Sequence, residues 1–145
     1  MKFIQIFSAL LTPVIALITT YIAFQQYRTN RAKLRHDLYE KRMSVYKATS
    51  SFILLADYID LKKAWEFHEA TDESSFLFHE ELSTYLKDIE DKGMRLAFLK
   101  HAIANSKLHD DKQATEIQEI REWFKNQQEL LPKKFMEYLN LKILK

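Results

Sequence analysis

Apolar and polar positions along the chain predict a long helix at its amino terminus. An uncharged stretch, FIQIFSALLTPVIALITTYIAF, runs from Phe3 to Phe24 and ends where charged residues begin. As a helix rising about 1.5 Å per residue, it would extend over roughly 30 Å, the thickness of a bilayer's hydrocarbon core. The pattern therefore predicts a transmembrane anchor over residues 1–27, with a kink expected at Pro13.

A second pattern follows in residues 28–70, predicted to form a basic juxtamembrane segment and an amphipathic helix. No Gly or Pro occurs between Val14 and Lys92, so the anchor helix is expected to continue into this segment. Apolar residues then recur at steps of four and three, interrupted by Lys41. These positions are Leu38, Val45, Ala48, Phe52, Leu55 and Ile59. The spacing favours a core-facing stripe within one domain, and a homodimeric coiled coil is the alternative.

Residues 71–145 are predicted to form a helical domain that packs on residues 38–66. Polar and small residues at 70–75 mark the first clear break, and a helix is expected from Phe76 to Asn105, which Gly93 could interrupt. The next helix is expected after a cap at Asp110, with Pro132 ending or bending it before a last short stretch that includes Phe135 and Ile143. The predicted class is all-α, a transmembrane helix continuing into a helical hairpin or small antiparallel bundle.

Composition supports this class and narrows the chemistry. The chain has 145 residues with Gly 1, Pro 2 and Cys 0, too few turn residues for a β-sheet protein. Without cysteine there are no disulfides, thiolate nucleophiles or cysteine metal sites. A single glycine excludes phosphate-binding and dinucleotide-binding glycine loops. We therefore expect no enzyme activity and no cofactor.

The segment after the apolar stretch is strongly basic. Its predicted membrane-surface residues are Arg28, Arg31, Lys33, Arg35, Lys41 and Arg42. Because basic residues mark the cytoplasmic side of a span, we expect the amino terminus outside and the rest of the chain in the cytoplasm. These cations would also attract anionic lipid heads, each by about 1 kcal/mol. Charge confined to this segment is not typical of a nucleic-acid-binding domain, so the expected partner is the lipid bilayer.

Two other interpretations of the apolar stretch fit the sequence less well. A cleaved signal peptide has a shorter apolar region followed by a small-residue cleavage site, and this chain shows neither feature. A buried hairpin inside a soluble domain would not need aromatic residues at both ends of the stretch, where Phe3 and Tyr27 lie. A membrane anchor is the interpretation that fits both observations.

The histidines and acidic pairs show no catalytic or metal-ligand spacing. His68, His79 and His109 have acidic neighbours, but none lies four residues from another histidine, as a helical zinc site requires. We expect these side chains to be solvated on helix surfaces. No catalytic, cofactor-binding or metal-binding residue is therefore predicted.

Aromatic residues in the second half of the chain are predicted to pack between helices. The candidates are Phe76, Phe78, Trp123 and Phe124, together with the stripe residues Leu38, Val45, Phe52, Leu55 and Ile59. Large rings are usually buried, and the block of Phe76 to Phe78 is expected to pack against the helix of Trp123 and Phe124.

Three blocks of the chain together resemble a set of small bacterial single-pass membrane proteins, most of them uncharacterised. They are Tyr21-Ile22-Ala23-Phe24-Gln25-Gln26-Tyr27 with Thr29 and Asn30; Phe76-Leu77-Phe78; and Trp123-Phe124 followed by Phe135, Tyr138 and Leu139. The resemblance implies an anchor with a helical cytoplasmic domain in the bacterial inner membrane. The basic segment after the span indicates that the amino terminus is periplasmic. It implies no catalytic residue.

These observations favour a non-enzymatic inner-membrane protein whose cytoplasmic helical domain binds an unidentified membrane or cytoplasmic protein. A prophage-type factor that excludes competing phages at the membrane is one alternative, by analogy of architecture. A self-associating structural anchor, a homo-oligomer formed through the stripe from Leu38 to Ile59, is another.

Overall fold

The structure, a computed structural model, describes residues 2–105 and 111–140, and the side chains of these residues except 2–10 and 12. Of the described residues, 94% are helical and none belongs to a strand. The predicted all-α class is confirmed. Its helices are α1 (Lys2–Leu54), α2 (Leu61–Thr71), α3 (Ser74–Leu77), α4 (Glu80–Asn105) and α5 (Asp111–Leu139), and a 3-10 turn covers Ala56–Tyr58.

The chain divides into two compact units, residues 1–37 and residues 38–145. In the first unit, every side chain described, at positions 11 and 13–37, is exposed. Thr19 and Thr20 turn their hydroxyls back onto helix carbonyls, both donating to the Ala16 oxygen, at 2.9 and 2.8 Å. The first unit therefore buries none of its described side chains.

No helix among the described residues combines the length and the apolar character of a membrane span. The predicted anchor at residues 1–27 includes residues 1–10 and 12, whose side chains lie outside the described part of the structure.

The second unit has a continuous apolar core to which all of its longer helices contribute. Phe124 and Phe135 of α5 are fully buried; Phe124 meets the edge of Phe52 at 6.0 Å between ring centroids, and Phe135 meets Tyr46 at 5.3 Å. Since residue numbers rise along α1 as they fall along α5, these two helices are antiparallel. Ion pairs, hydrogen bonds and ring contacts give the same relation between α1 and α2, α2 and α4, and α4 and α5.

The first break in the helix comes after Leu54, earlier than the break expected at residues 70–75. The chain leaves α1 after Leu54 and turns before α2, although no Gly or Pro is present. Two apolar side chains of the turn, Ala56 and Ile59, enter the core, and Asp60 caps α2 by accepting a hydrogen bond from the Lys63 amide at 2.8 Å. Burial of the turn and a side-chain cap thus separate α1 from α2 without a helix-breaking residue.

The expected break at residues 70–75 is confirmed, since α2 ends at Thr71 and α3 begins at Ser74. The helix expected from Phe76 to Asn105 is instead split: the one-turn α3 ends at Leu77, and α4 begins at Glu80. Phe78 has an extended backbone (φ −132°, ψ 162°) that separates them.

Pro132 lies inside α5 and does not end the helix, which continues to Leu139. Pro132 itself is exposed, whereas Leu131 and Phe135 on either side of it are buried. Their packing supports the helix across the position where proline removes one hydrogen bond. The expected cap at Asp110 and the terminal Ile143 lie outside the described residues.

The single glycine, Gly93, lies buried within α4 and does not interrupt it. A Cβ at this position would overlap the ring of Phe52, which is stacked on Phe67 with 4.2 Å between ring centroids. Gly93 therefore allows α4 to approach the aromatic centre of the core closely.

Candidate interaction surface

An apolar groove of about 230 Å³ lies between the second part of α1 and α2. Its floor is the stacked pair Phe52 and Phe67, whose ring planes differ by only 7°. Its complete lining is Ala48, Ser51, Phe52, Leu55, Ile59, Lys63, Glu66, Phe67 and Ala70. The groove is apolar in its depth and carries one basic and one acidic residue on the α2 side.

Small side chains create this groove. Ala48 and Ser51 on α1 face Ala70 on α2, and none of these side chains is long enough to close the gap above the two rings. The open mouth leaves apolar surface in water: Leu55 is 46% exposed, and Tyr58 in the adjoining turn is 70% exposed. Exposed apolar side chains next to a recess are typical of a binding surface.

The apolar stripe predicted from the sequence is divided between the core and this groove. Val45, Phe52 and Ile59, spaced seven residues apart, are buried in the core of the second unit. Leu38 is half-buried, and Leu55 is exposed at the groove. The expectation that Leu55 packs within the domain was wrong, because α1 ends just before it and the turn brings Ala56 and Ile59 inward instead.

The turn that closes one end of the groove is held by charged residues from α4 and α5. Lys100 donates hydrogen bonds to the carbonyls of Asp57 and Ile59 at 2.7 and 3.2 Å, and the Arg121 guanidinium lies 3.0 Å from the Asp57 carboxylate. Partial burial, together with the nearby charge of Arg121, lowers the pKa of the Lys100 ammonium. These contacts stabilise the position of Ile59 in the groove wall.

The six basic residues predicted at the membrane surface fall into two groups. Arg28, Arg31, Lys33 and Arg35 are exposed in the first unit. Lys41 and Arg42 belong to the second unit, where the Lys41 ammonium pairs with the Glu73 carboxylate at 3.0 Å. A role at the membrane surface remains a prediction for all six.

Arg42 joins the ends of two helices. Its Nε donates to the carbonyl of Leu77, the last residue of α3, at 3.0 Å, and its Nη1 donates to the carbonyl of Tyr138 near the end of α5, at 3.4 Å. The guanidinium also lies 5.9 Å from the ring centroid of Phe78 and 5.5 Å from that of Tyr138. Carbonyls at helix ends have no partner within the helix and carry negative partial charge, so a cation there is stabilising.

The aromatic predictions have mixed outcomes. Phe78 and Phe124 are buried, and Trp123 is half-buried with the Lys92 ammonium 5.0 Å from its ring. Phe78 contacts α5 as expected, but at Phe135 and Tyr138, at centroid distances of 5.3 and 5.2 Å. The prediction for Phe76 was wrong.

The side chain of Phe76 is 88% exposed. The reason is that α3 has only four residues, after which the extended backbone of Phe78 directs that ring into the core. A single helical turn cannot direct both rings inward.

Titratable side chains tie the helices together on the surface. The His68 Nδ1 lies 2.8 Å from the Glu90 carboxylate, linking α2 to α4. Among the described residues, no group of three or more acidic or histidine side chains could hold a metal ion, and His109 lies outside them. Arg95 and Glu116 link α4 to α5 through two hydrogen bonds, which lower the pKa of the Glu116 carboxyl.

Burial strongly affects the titration of Tyr85. Its hydroxyl is buried without a hydrogen-bond partner among the described residues, and burial raises its pKa to about 12. The Lys134 ammonium lies 5.5 Å from the Tyr85 ring and 2.7 Å from the Glu81 carboxylate, where its hydrogen bond lowers the pKa of Glu81.

Sequence reasoning missed most of the groove. Ser51, Lys63, Glu66, Phe67 and Ala70 were not predicted to share a surface. The detectable signal was a run of small residues on α1 at steps of four and three, Ser44, Ala48 and Ser51, of which Ala48 also belongs to the apolar stripe.

Comparison of the chain with protein-family models, with curated proteins and with solved structures found no match. The resemblance to small bacterial membrane proteins therefore remains a prediction from the three sequence blocks.

Proposed function

We propose that this chain is a non-catalytic, single-pass protein of the bacterial inner membrane whose helical domain, residues 38–145, binds another protein. The observation that carries the proposal is the exposure of the first unit. Its large apolar side chains lie open in the described structure: Leu11, Val14, Ile15, Leu17, Ile18, Tyr21, Ile22 and Phe24 are all between 48% and 72% exposed.

Exposed apolar surface on this scale requires an apolar environment. The uncharged stretch from Phe3 to Phe24 is long enough for a lipid bilayer to be that environment. Exposed arginines and a lysine follow it directly and support a cytoplasmic location for the second unit, because such residues are retained on the inner side of the membrane.

The second unit supports a binding role through its surface. Besides the α1/α2 groove, it exposes large apolar side chains at several sites: Leu54, Leu55, Tyr58, Trp65, Phe76, Phe98 and Met136. The phage-exclusion alternative rests on predicted architecture alone, and no contact among the described residues favours it.

Membrane extraction and labelling test the proposal. The full chain should stay with the membrane pellet after washing at alkaline pH, which removes peripheral proteins. Because the chain has no cysteine, single substitutions report topology cleanly. Lys2→Cys should react with a membrane-impermeant maleimide in intact cells, whereas Gln128→Cys on α5 should react only after lysis.

Release of the chain by the alkaline wash would overturn the anchor. Labelling of Gln128→Cys but not Lys2→Cys in intact cells would reverse the proposed orientation.

A further inference from the structure

The face of α1 beside the groove has the spacing of a helix-packing seam. Ser44, Ala48, Ser51 and Leu55 follow one another at steps of four, three and four residues. Ser44, Ser51 and Leu55 are exposed and Ala48 is half-buried, so this face is open to a partner. Apolar or small residues at this spacing allow one helix to pack along another over several turns.

Charges around the groove complement the same helix of a second copy. Lys47 is exposed on α1, next to this face, and forms no ion pair with the described residues. On the other side of the groove, α2 presents the exposed carboxylates of Glu66 and Glu69, of which Glu66 lies 3.7 Å from the Lys62 ammonium. An α1 helix from a second chain, seated along the groove, would bring its own Lys47 to these acidic residues.

The groove volume also limits its occupant. About 230 Å³ accommodates side chains and not a whole helix, so a partner helix must lie along the mouth and insert apolar side chains. Leu55, at the mouth and 46% exposed, is such a side chain. Packing of two α1 helices would cover Leu55 in both chains at once.

We propose that the α1/α2 groove binds α1 of a second copy of this chain, in a parallel two-fold dimer centred on Ser44, Ala48 and Ser51. The parallel direction rests on the proposed function, because two anchors that enter one membrane with the same orientation require their α1 helices to point the same way. This seam differs from the core stripe of Val45, Phe52 and Ile59, which is already buried within each domain.

Cysteine cross-linking of the full chain in cell membranes tests the dimer. In a parallel pair, each seam residue lies opposite itself, so Ser44→Cys, Ala48→Cys and Ser51→Cys should each form disulfide-linked dimers on mild oxidation. Leu54→Cys is the matched control: it is on the same helix and 64% exposed, but it does not line the groove. Because Leu54 is exposed but lies off the seam, only accidental collisions between chains can link Leu54→Cys. We therefore expect its dimer yield to be at least about fivefold lower than that of the seam positions.

Three results would overturn the proposal. No dimer at any seam position would mean that α1 does not face a second copy. Dimers at a single seam position would indicate an antiparallel crossing, and equal yields at Leu54→Cys would indicate random collision. Ser44→Cys and Ser51→Cys replace exposed residues, so their failure to cross-link could not be attributed to loss of the fold.

Charge exchange tests the choice of partner. In the Ser51→Cys background, Lys47→Glu should reduce the dimer yield, and adding Glu66→Lys with Glu69→Lys should restore it, because the two signs are then exchanged between the chains. An unchanged yield in Lys47→Glu, or a failure of the triple exchange to restore it, would overturn this pairing.

The outcome is separable from that of the proposed function. Cross-links at all three seam positions in a chain that the alkaline wash releases would support the dimer and overturn the anchor. A chain that stays in the membrane without cross-links would support the anchor and overturn the dimer.

Discussion

The two parts of helix α1 differ in their surroundings although they share one secondary structure. In residues 13–37, every side chain is exposed, including large apolar ones such as Ile15 and Leu17. In residues 38–54, the same helix buries Val45, Phe52 and Ile53. The contrast shows that apolar residues on a helix do not by themselves specify a core, because the covering surface must come from elsewhere. Helices of the second unit supply that cover over residues 38–54.

Arginine shows the same contrast. Arg31 in the first unit is exposed, whereas Arg42, eleven residues later, bonds two helix-end carbonyls and lies near two aromatic rings. One basic run thus contains residues with different surroundings. Both tryptophans, Trp65 and Trp123, lie in the second unit, so their fluorescence reports the unfolding of that unit alone.

The largest effect is expected from charging the exposed apolar part of α1. Ile15→Arg with Leu17→Arg should remove the chain from the membrane, because each centrally placed arginine costs about 2.5–3.5 kcal/mol on insertion scales. The control is Leu130→Arg with Met136→Arg, which charges exposed apolar positions of α5 and should leave the chain in the membrane. Fractionation measures both, and a double variant that stays membrane-bound would mean that another segment anchors the chain.

Removing a buried ring should affect the second unit alone. Phe124 is fully buried, so Phe124→Ala should lower the free energy of unfolding by about 3–5 kcal/mol. Phe76→Ala removes an identical side chain that is 88% exposed and should change it by less than about 0.5 kcal/mol. Urea unfolding followed by tryptophan fluorescence distinguishes the two variants, and equal effects would contradict the difference in burial between Phe124 and Phe76. Membrane retention should be unchanged in both.

The two arginines provide the next test. Arg42→Ala should cost about 2 kcal/mol, because the carbonyls of Leu77 and Tyr138 lose a charged donor. Arg31→Ala, at an exposed position of the first unit, should leave the free energy of unfolding of the second unit unchanged. Similar losses for both variants would show that Arg42 contributes no more to the stability of the second unit than the exposed Arg31 does.

Gly93 tests the packing of α4 on α1. Alanine normally stabilises a helix interior relative to glycine by up to about 1 kcal/mol. At position 93 its Cβ overlaps the Phe52 ring, which Phe67 and Phe124 hold in place, so Gly93→Ala should destabilise the unit by a net ~1–2 kcal/mol. In the double variant Gly93→Ala with Phe52→Leu, the penalty for alanine should shrink. A stabilised single variant would mean that α4 and α1 are not in close contact.

The smallest effect concerns pH. Because the pKa of Tyr85 is raised from 10.0 to about 12, the folded chain keeps a proton that the unfolded chain loses. The contribution of Tyr85 to stability is complete below pH 10 and is lost as the pH rises towards 12. Tyr85→Phe should therefore lose less stability than the parent chain between about pH 9 and pH 11. Identical losses in urea midpoints would show that the hydroxyl is not buried.

Helix content was predictable because it depends on local properties, and several boundaries were predictable for the same reason. Polar residues at 70–75 end α2 as expected, and the seven-residue spacing of Val45, Phe52 and Ile59 identified core positions. The turn after Leu54 could not be predicted from helix-breaking residues such as Gly or Pro, because it depends on Ala56 and Ile59 entering a core built by α4 and α5. Pro132 was misread because the buried neighbours that support α5 are recognisable only in the folded chain.

The groove shows most clearly what cannot be predicted from the sequence. Ala48 and Ser51 are ordinary helix residues in the printed chain, and they border a cavity only because α2 folds back over Phe52. Phe76 and Phe78 are identical side chains two residues apart, yet one is 88% and the other 7% exposed. Such differences arise from the path of the backbone between α3 and α4, which no local pattern specifies.

Local composition and periodicity established an all-helical chain, an uncharged stretch at residues 3–24, a basic segment after it and the positions of several core residues, because each depends on side-chain chemistry within a few turns. Only the tertiary structure of residues 38–145 determined the α1/α2 groove, the helix-end contacts of Arg42 and the need for glycine at position 93. Each of these depends on distances between helices that are far apart in the chain, and those distances follow from packing of the whole core.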